Sequence, residues 1–137
     1  MRRETIHTDR CAPTAPFFSQ AVKVGPMIFV SGQLARDAAG TVIGKGDMAA
    51  QARQVISNIR AILAEAGAEL RHVVKLTAFM TDMSLAPQAW AVREEFFAAH
   101  PPASTGVEVS RLTHPDFLIE IEVIAVIDDA GQTETAG

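Results

Sequence analysis

Two carboxylates, Glu120 and Glu122, lie two residues apart in residues 117–127, a run that is otherwise apolar. In a β-strand, residues at i and i+2 share a face, so these two side chains project from the same side of a sheet. A carboxylate in such a setting either pairs with a cation or acts in a site, and pairing is the more common outcome. Glu120 and Glu122 are therefore the first candidates for chemistry.

A second stretch has the composition of a binding-site wall: HPPASTGVEVSRL, residues 100–112. The rigid pair Pro101-Pro102 precedes small, uncharged residues, and an alternating, strand-like run follows them. Ser104 and Thr105 offer hydroxyl groups, but residues 101–106 hold no charged side chain for an anionic ligand. The segment predicts the wall of a binding site and leaves open which residue would bind a ligand there.

The other residues that bind metals or act as nucleophiles form no recognisable motif. The four histidines stand in separate segments with no pair at i and i+4, which argues against zinc; they are His7, His72, His100 and His114. The stretch GTVIGKG lacks the spacing of a phosphate-binding loop. Cys11, the single cysteine, has no flanking nucleophile signature and is interpreted as an incidental thiol near a flexible N-terminus. We therefore expect neither a metal nor a cofactor.

Length and composition indicate one globular domain over residues 1–137, of which 48% are hydrophobic and 20% charged. We expect the core to span about 13–127, with 1–12 and 128–137 peripheral. The net charge of −4 argues against a nucleic-acid partner. With no apolar run long enough for a signal peptide or a membrane span, the sequence predicts a cytoplasmic protein without membrane contact.

The hydrophobic pattern steps from strand to helix spacing and predicts the element order ββαβαββ. The predicted elements are a hairpin over about 20–30, a helix capped by Asp47 and ended at Gly67, a strand over 72–82, a helix from Asp82 or Ser84 to before Pro101, and strands over 103–109 and 117–127. In the last strand, the face that begins at Phe117 is wholly apolar and must lie under the helices. The opposite, half-apolar face carries Glu120 and Glu122 and predicts contact with another copy of the chain.

The sequence resembles the RidA family (YjgF, also called L-PSP) over roughly residues 13–127. The resemblance is carried, in order, by FFSQAVKVG, IFVSGQ, QARQVISNIRAILAEAGA, VVKLTAFMTDM, PPAS, GVEVSRL and LIEIEVIAV. It implies a chorismate-mutase-like α+β fold, a six-stranded mixed sheet with two helices on one face. It also implies a homotrimer with sites in clefts between subunits, and hydrolysis of reactive enamines or imines, formed from amino acids such as serine or threonine, to 2-keto acids and ammonia.

The resemblance also assigns roles to individual positions. Glu120 matches the family's water-handling carboxylate, and Ser31 and Gly32 match its VSG motif. In the deaminating branch an arginine in a PARS segment anchors the substrate carboxylate, and here Ser104 holds that position, followed by Thr105. A charged, bidentate anchor contributes roughly 1.5 to 3 kcal/mol, or about 10- to 150-fold in binding. Its loss favours a substrate unlike the serine-derived imine.

Two further positions depart from the family pattern. Phe18 stands where a tyrosine is usual, in a chain with no tyrosine, and Trp90 stands where an asparagine is common. Both aromatic residues are candidates for substrate contact, although packing alone would explain them. Arg36 and Arg111 are alternative anchors, and for Arg111 a loop or interface role is the more common outcome.

Three hypotheses from different classes follow from these residues. The first is an enamine or imine deaminase with Glu120 as its essential group and a substrate different from the serine- and threonine-derived imines. The second is a non-catalytic trimer that binds a small metabolite or a partner protein in its clefts. The third, a ribonuclease of the L-PSP type, is disfavoured by the negative net charge.

Overall fold

The structure is a computed structural model that describes residues 2–127. Within this range there are six β-strands, Arg3–Ile6 (β1), Ala21–Val24 (β2), Met27–Gln33 (β3), Val73–Met80 (β4), Ala103–Glu108 (β5) and Ile119–Val126 (β6), and two α-helices, Met48–Glu65 (α1) and Ala86–Phe97 (α2). Short 3₁₀ turns at Leu70–His72 and Met83–Leu85 lead into β4 and α2. The tail expected at 128–137 lies outside the described residues.

All six strands belong to one sheet in the order β1-β2-β3-β6-β4-β5. Strands β4 and β5 run parallel, and every other neighbouring pair is antiparallel. Helices α1 and α2 pack against each other, and α1 contacts β3 and β6. The six-stranded mixed sheet with two helices that the family resemblance implies is therefore confirmed.

The sixth strand comes from the N-terminal segment, which the element order ββαβαββ omits. Strand β1 pairs with β2 at the edge of the sheet, so part of the segment expected to be peripheral belongs to the sheet. Only Ile6 of its four residues is buried. With one inward-facing residue, β1 has no alternation that a sequence pattern could reveal.

The long apolar face of β6 lies against the helices, as its alternation predicts. Ile119, Ile121, Val123 and Ala125 are buried there. The capping of α1 is also as predicted, since Asp47 Oδ1 accepts a hydrogen bond from the Ala50 N–H at 3.0 Å.

The segment before β2 is fixed to the body by one buried amide. The Gln20 side chain accepts a hydrogen bond from the Thr8 N–H at 2.7 Å and donates to the carbonyl oxygens of Thr8 and Ala12 at 3.1 and 3.2 Å. Cys11 is buried, contrary to the expectation of a thiol in a flexible end, and burial raises its pKa. Gln20 thereby positions residues 12–18, which wall the cavity described below.

The face of the sheet opposite the helices leaves large apolar side chains uncovered. Met27 and Phe29 on β3, Val107 on β5 and Val126 on β6 are 37–41% exposed. Phe29 is directly opposite Ile124, so these residues continue across neighbouring strands. An apolar face of this kind is typical of a protein contact surface.

Candidate active site

The larger cavity lies beneath the N-terminal segment, beside the ends of β3 and β6. We call it the Glu120 cavity; its volume is about 480 Å³, and Phe18, Ser31, Gly32, Arg36 and Glu120 are among the residues that line it. Four residues that the family resemblance selects therefore meet in one place, together with Arg36.

Glu120 is the acidic group of this cavity. Its carboxylate is half-buried and accepts no hydrogen bond from residues 2–127. Burial raises its pKa, and the negative charge of Glu122 raises the pKa further. A carboxylate with free lone pairs and a raised pKa in a water-accessible cavity is suited to take a proton from a bound water.

An irregularity in β3 brings the backbone of Gly32 next to this carboxylate. The pairing of β3 with β6 shifts register between Val30 and Gln33, which marks a β-bulge at Ser31 and Gly32. Glu120 occupies the space that a side chain at residue 32 would need. The bulge and the glycine together give Glu120 its position.

The hydroxyl group of Ser31 is already engaged within the chain. It donates a hydrogen bond to the Ser19 carbonyl oxygen at 2.6 Å, and the Ser31 N–H donates to the Gln20 carbonyl oxygen at 2.9 Å. Ser31 lines the cavity as predicted, but its proton secures the strand ends. Its hydroxyl lone pairs are what it offers to a ligand.

Aromatic and polar side chains complete the rim. Phe18 is 47% exposed, and its ring centroid lies 5.4 Å from that of the still more exposed Phe17. The Arg36 guanidinium lies 5.0 Å from the centroid of the Phe117 ring and makes no ion pair with residues 2–127. Gln33, the last residue of the IFVSGQ motif, also lines the cavity, although the sequence assigned it no role. Arg111, the other alternative anchor, is exposed and lines neither cavity described here.

Two of the remaining predicted residues, Trp90 and Ser104, lie elsewhere, between α2 and β5. A second cavity of about 400 Å³, which we call the Arg93 cavity, is lined by Trp90, Arg93, Glu94, Phe97, Ala98, Pro101, Pro102 and Ser104. Trp90 and Ser104 therefore meet each other but do not meet Glu120 within one chain. Arg93 was missed by the sequence analysis, since it lies in no motif that the resemblance supplied.

Ser104 and Thr105, expected to act together, point to opposite sides of the sheet. Ser104 is opposite Leu76, on the side of the helices, and its Oγ accepts a hydrogen bond from Arg93 Nη2 at 2.6 Å. Thr105 is opposite Thr77 on the uncovered face, where its hydroxyl accepts a hydrogen bond from Lys75 Nζ at 2.8 Å. Consecutive strand residues alternate, so Thr105 points away from the Arg93 cavity, and it is not among the residues that line the Glu120 cavity.

Residues 2–127 hold neither a candidate metal site nor a candidate membrane span. They contain no group of three histidine, cysteine or acidic side chains placed to hold a metal ion. No helix in the same range is both long enough and apolar enough to cross a membrane.

Sequence comparison identifies relatives along nearly the whole chain. Residues 8–127 match the profile of the family described as Endoribonuclease L-PSP. A RutC family protein of Pyrococcus abyssi is 45% identical over 125 residues, which are 91% of this chain and 98% of that protein. The 2-iminobutanoate/2-iminopropanoate deaminase of Salmonella typhimurium is 37% identical over 126 residues, 90% of this chain and 97% of the enzyme.

Solved structures of similar proteins share the fold. The yjgF gene product of E. coli superimposes with a TM-score of 0.82 at 39% identity, covering 90% of this chain and 98% of that one. E. coli TdcF with bound serine superimposes with a TM-score of 0.84 at 32% identity, covering 91% and 99%.

Proposed function

The chain belongs to the Endoribonuclease L-PSP family, also called RidA or YjgF, and on that premise we propose that it hydrolyses a reactive enamine or imine to a 2-keto acid and ammonia. The observation that carries the proposal is the Glu120 cavity, in which a carboxylate with a raised pKa and free lone pairs faces solvent-accessible space. The deaminase of Salmonella typhimurium supports the same reaction class.

In the proposed mechanism, Glu120 acts as a base toward a water molecule. The water oxygen forms a bond to the imine carbon while a water proton passes to the carboxylate, and the π electrons of the C=N bond move to nitrogen. Glu120 then returns that proton to nitrogen. The carbonyl forms as the C–N bond breaks, the hydroxyl proton leaves with nitrogen, and ammonia and the 2-keto acid are released.

We propose that the complete site forms between copies in a homotrimer. The uncovered apolar face around Phe29 supplies a surface for association, and the division of the predicted residues between two cavities supports a shared site. In this arrangement the Glu120 cavity of one copy faces the Arg93 cavity of its neighbour.

The single thiol, Cys11, is free and buried, which fits the proposed location in the reducing cytoplasm.

The substrate proposed here differs from the small imines derived from serine and threonine. Ser104 and Phe18 remove the anchor and the hydroxyl that the deaminating branch uses. The lining of both cavities includes large apolar side chains, Phe18 in one and Trp90 in the other. An imine with a larger, apolar side chain suits these walls.

Two observations favour a second candidate, a trimer that binds a small metabolite without catalysis. The Ser31 proton is committed to a backbone carbonyl, and the similar protein TdcF carries bound serine. Ribonuclease activity has in its favour only the family's description, and the net charge of −4 opposes binding to RNA.

The test is release of 2-keto acid from imines generated in situ from a panel of amino acids. We expect acceleration by the wild-type protein and a loss of roughly 100-fold or more in Glu120→Gln, since the neutral amide cannot accept the proton. Glu122→Gln, on the same face of β6, is the matched control and should retain most of the activity, because burial, the larger cause of the raised pKa of Glu120, is unchanged. Equal acceleration by wild type and Glu120→Gln would remove Glu120 from the mechanism, and no acceleration by the wild type would favour the binding protein.

A further inference from the structure

We propose that Arg93 is the residue that binds the substrate carboxylate, and that the Arg93 cavity accepts a monocarboxylic acid with an apolar side chain. The inference rests on the proposed function for its link to catalysis, because the product of imine hydrolysis is a 2-keto acid. The binding site itself stands on the geometry of α2 and β5.

The Arg93 guanidinium lies beside Ser104, the position at which the sequence has no cationic residue. Arg93 lies on α2, and its Nη2 donates to Ser104 Oγ at 2.6 Å. Ser104 holds the position where the deaminating branch has its anchoring arginine. A guanidinium that reaches Ser104 from the neighbouring helix therefore supplies positive charge at the same wall of the site.

Most of the donors of this guanidinium are unused. Arg93 makes no ion pair with residues 2–127, and its Nε is buried without a hydrogen-bond partner in that range. An arginine has five N–H donors, and the neutral hydroxyl of Ser104 accepts one of them without neutralising the charge. Burial lowers the pKa of Arg93, which is the direction expected for a cation that lacks a counter-ion. A carboxylate in the cavity would neutralise the charge and accept hydrogen bonds from the free Nη donors.

The walls of the cavity define the rest of the ligand. Trp90, Phe97 and Pro102 contribute apolar surface beside Arg93. The acidic group of the wall, Glu94, makes no ion pair with Arg93. A ligand with one carboxylate and a branched or aromatic side chain matches the single cation and the apolar wall. The second carboxylate of a dianion would be repelled by Glu94, because the lining of this cavity contains no second cation.

Trp90 provides a direct measurement, because it is the single tryptophan of a chain that has no tyrosine. Its fluorescence will be followed during titration with 4-methyl-2-oxopentanoate, and 4-methyl-2-pentanone will serve as the probe without a carboxylate. We expect a saturable change with the acid in wild type, at a concentration well below that needed for the ketone.

Three variants test the role of Arg93. Arg93→Met should weaken binding of the acid by about tenfold or more, with little effect on the ketone, and Arg93→Lys should fall between because it loses bidentate geometry. Arg60→Met, on α1, removes the same charge from another part of the surface and should bind as wild type. Ser104→Asp retains Arg93 but pairs it with a carboxylate, so it should also abolish binding of the acid. This variant provides the test if Arg93→Met does not fold.

The outcomes separate the site from the reaction. No saturable binding of the acid by wild type, or equal affinity in wild type and folded Arg93→Met, would overturn the carboxylate site. An equal loss in Arg60→Met would also overturn it, because the effect would then be one of net charge. Binding that depends on Arg93 in a protein without deaminase activity would refute the proposed function alone. Deaminase activity with the same KM in Arg93→Met would refute the anchor alone.

Discussion

Gly32 and Glu120 are packed so closely that a Cβ on residue 32 would lie 2.8 Å from Glu120 Cδ and 3.0 Å from its Cγ. Carbon atoms pack best at about 3.5–4.0 Å, so no side chain fits there while the carboxylate stays in place. The φ angle of Gly32 is not in the left-handed region. The glycine is therefore required by the position of the carboxylate and not by its own backbone conformation.

Gly32→Ala is accordingly expected to cost little free energy of unfolding, because the atoms that the new Cβ meets belong to the far end of a flexible, half-buried side chain, but to displace the Glu120 carboxylate from its position in the cavity. Deaminase activity should fall with it. Gly106→Ala is the matched control, because a Cβ there meets only Met80 Cε at an ordinary 3.6 Å. In a strand this change should be neutral or stabilise by up to about 1 kcal/mol. Keto-acid release and denaturant unfolding check both variants, and equal activity in the two would contradict the argument.

Glu120→Gln should stabilise the folded protein at neutral pH while it removes activity. The pKa of Glu120 is raised on folding, so as pH increases from the ordinary carboxyl value, about 4.3, toward the raised value, the unfolded state ionises first. The contribution of Glu120 to stability is lost across that window and stays lost above it. The increase in the free energy of unfolding caused by Glu120→Gln should therefore be small near pH 4 and largest at neutral pH.

Glu95 provides the comparison of opposite sign in the same pH series. The hydrogen bond from Arg53 lowers the pKa of Glu95, so Glu95 stabilises the fold above the ordinary carboxyl pKa and loses that effect as pH falls. Glu95→Gln should thus be destabilising at neutral pH and neutral in acid. If the advantage of Glu120→Gln does not depend on pH, the ionisation of Glu120 is not its cause.

Features that depend on neighbouring residues could be predicted from the sequence. The alternation of β6 and the Asp47 cap of α1 are patterns of this kind, and both are present as expected. Strand β1 has one buried residue and so carries no pattern. Its place in the sheet follows from pairing with β2, which only the tertiary structure shows.

The candidate site was predictable in part for the same reason. Glu120 and Gly32 matched motifs, but Arg93 acts through a contact between α2 and β5 that no spacing within the sequence encodes. Thr105 is a different case. Because Ser104 and Thr105 are consecutive strand residues, strand alternation already indicated that they lie on opposite sides of the sheet.

The proposed trimer predicts that a charge on the uncovered face will dissociate it. Phe29, which is 41% exposed on β3, would be buried in the interface, so Phe29→Asp should yield monomers at micromolar concentration. Ala64→Asp adds the same charge to the exposed side of α1 and should leave the trimer intact. Sedimentation velocity distinguishes these states, and a wild-type protein that is monomeric would end the proposal of a shared site.

The contact between Arg93 and Ser104 also predicts how the family's own anchor could be restored. Ser104→Arg alone places a second guanidinium against Arg93 Nη2, which now lies 2.6 Å from the Ser104 hydroxyl. Repulsion between the two like charges should prevent the new arginine from settling into the site.

The double variant Ser104→Arg/Arg93→Met removes that repulsion and leaves one cation at the family position. Its kcat/KM on 2-iminopropanoate should exceed that of either single variant by about tenfold or more, since the new arginine can pair with the carboxylate through two hydrogen bonds. Keto-acid release by the four proteins of this cycle measures the coupling between the positions. Additive effects would mean that the two side chains do not share a site, and a Ser104→Arg single variant as active as the double would show that Arg93 does not oppose a cation there.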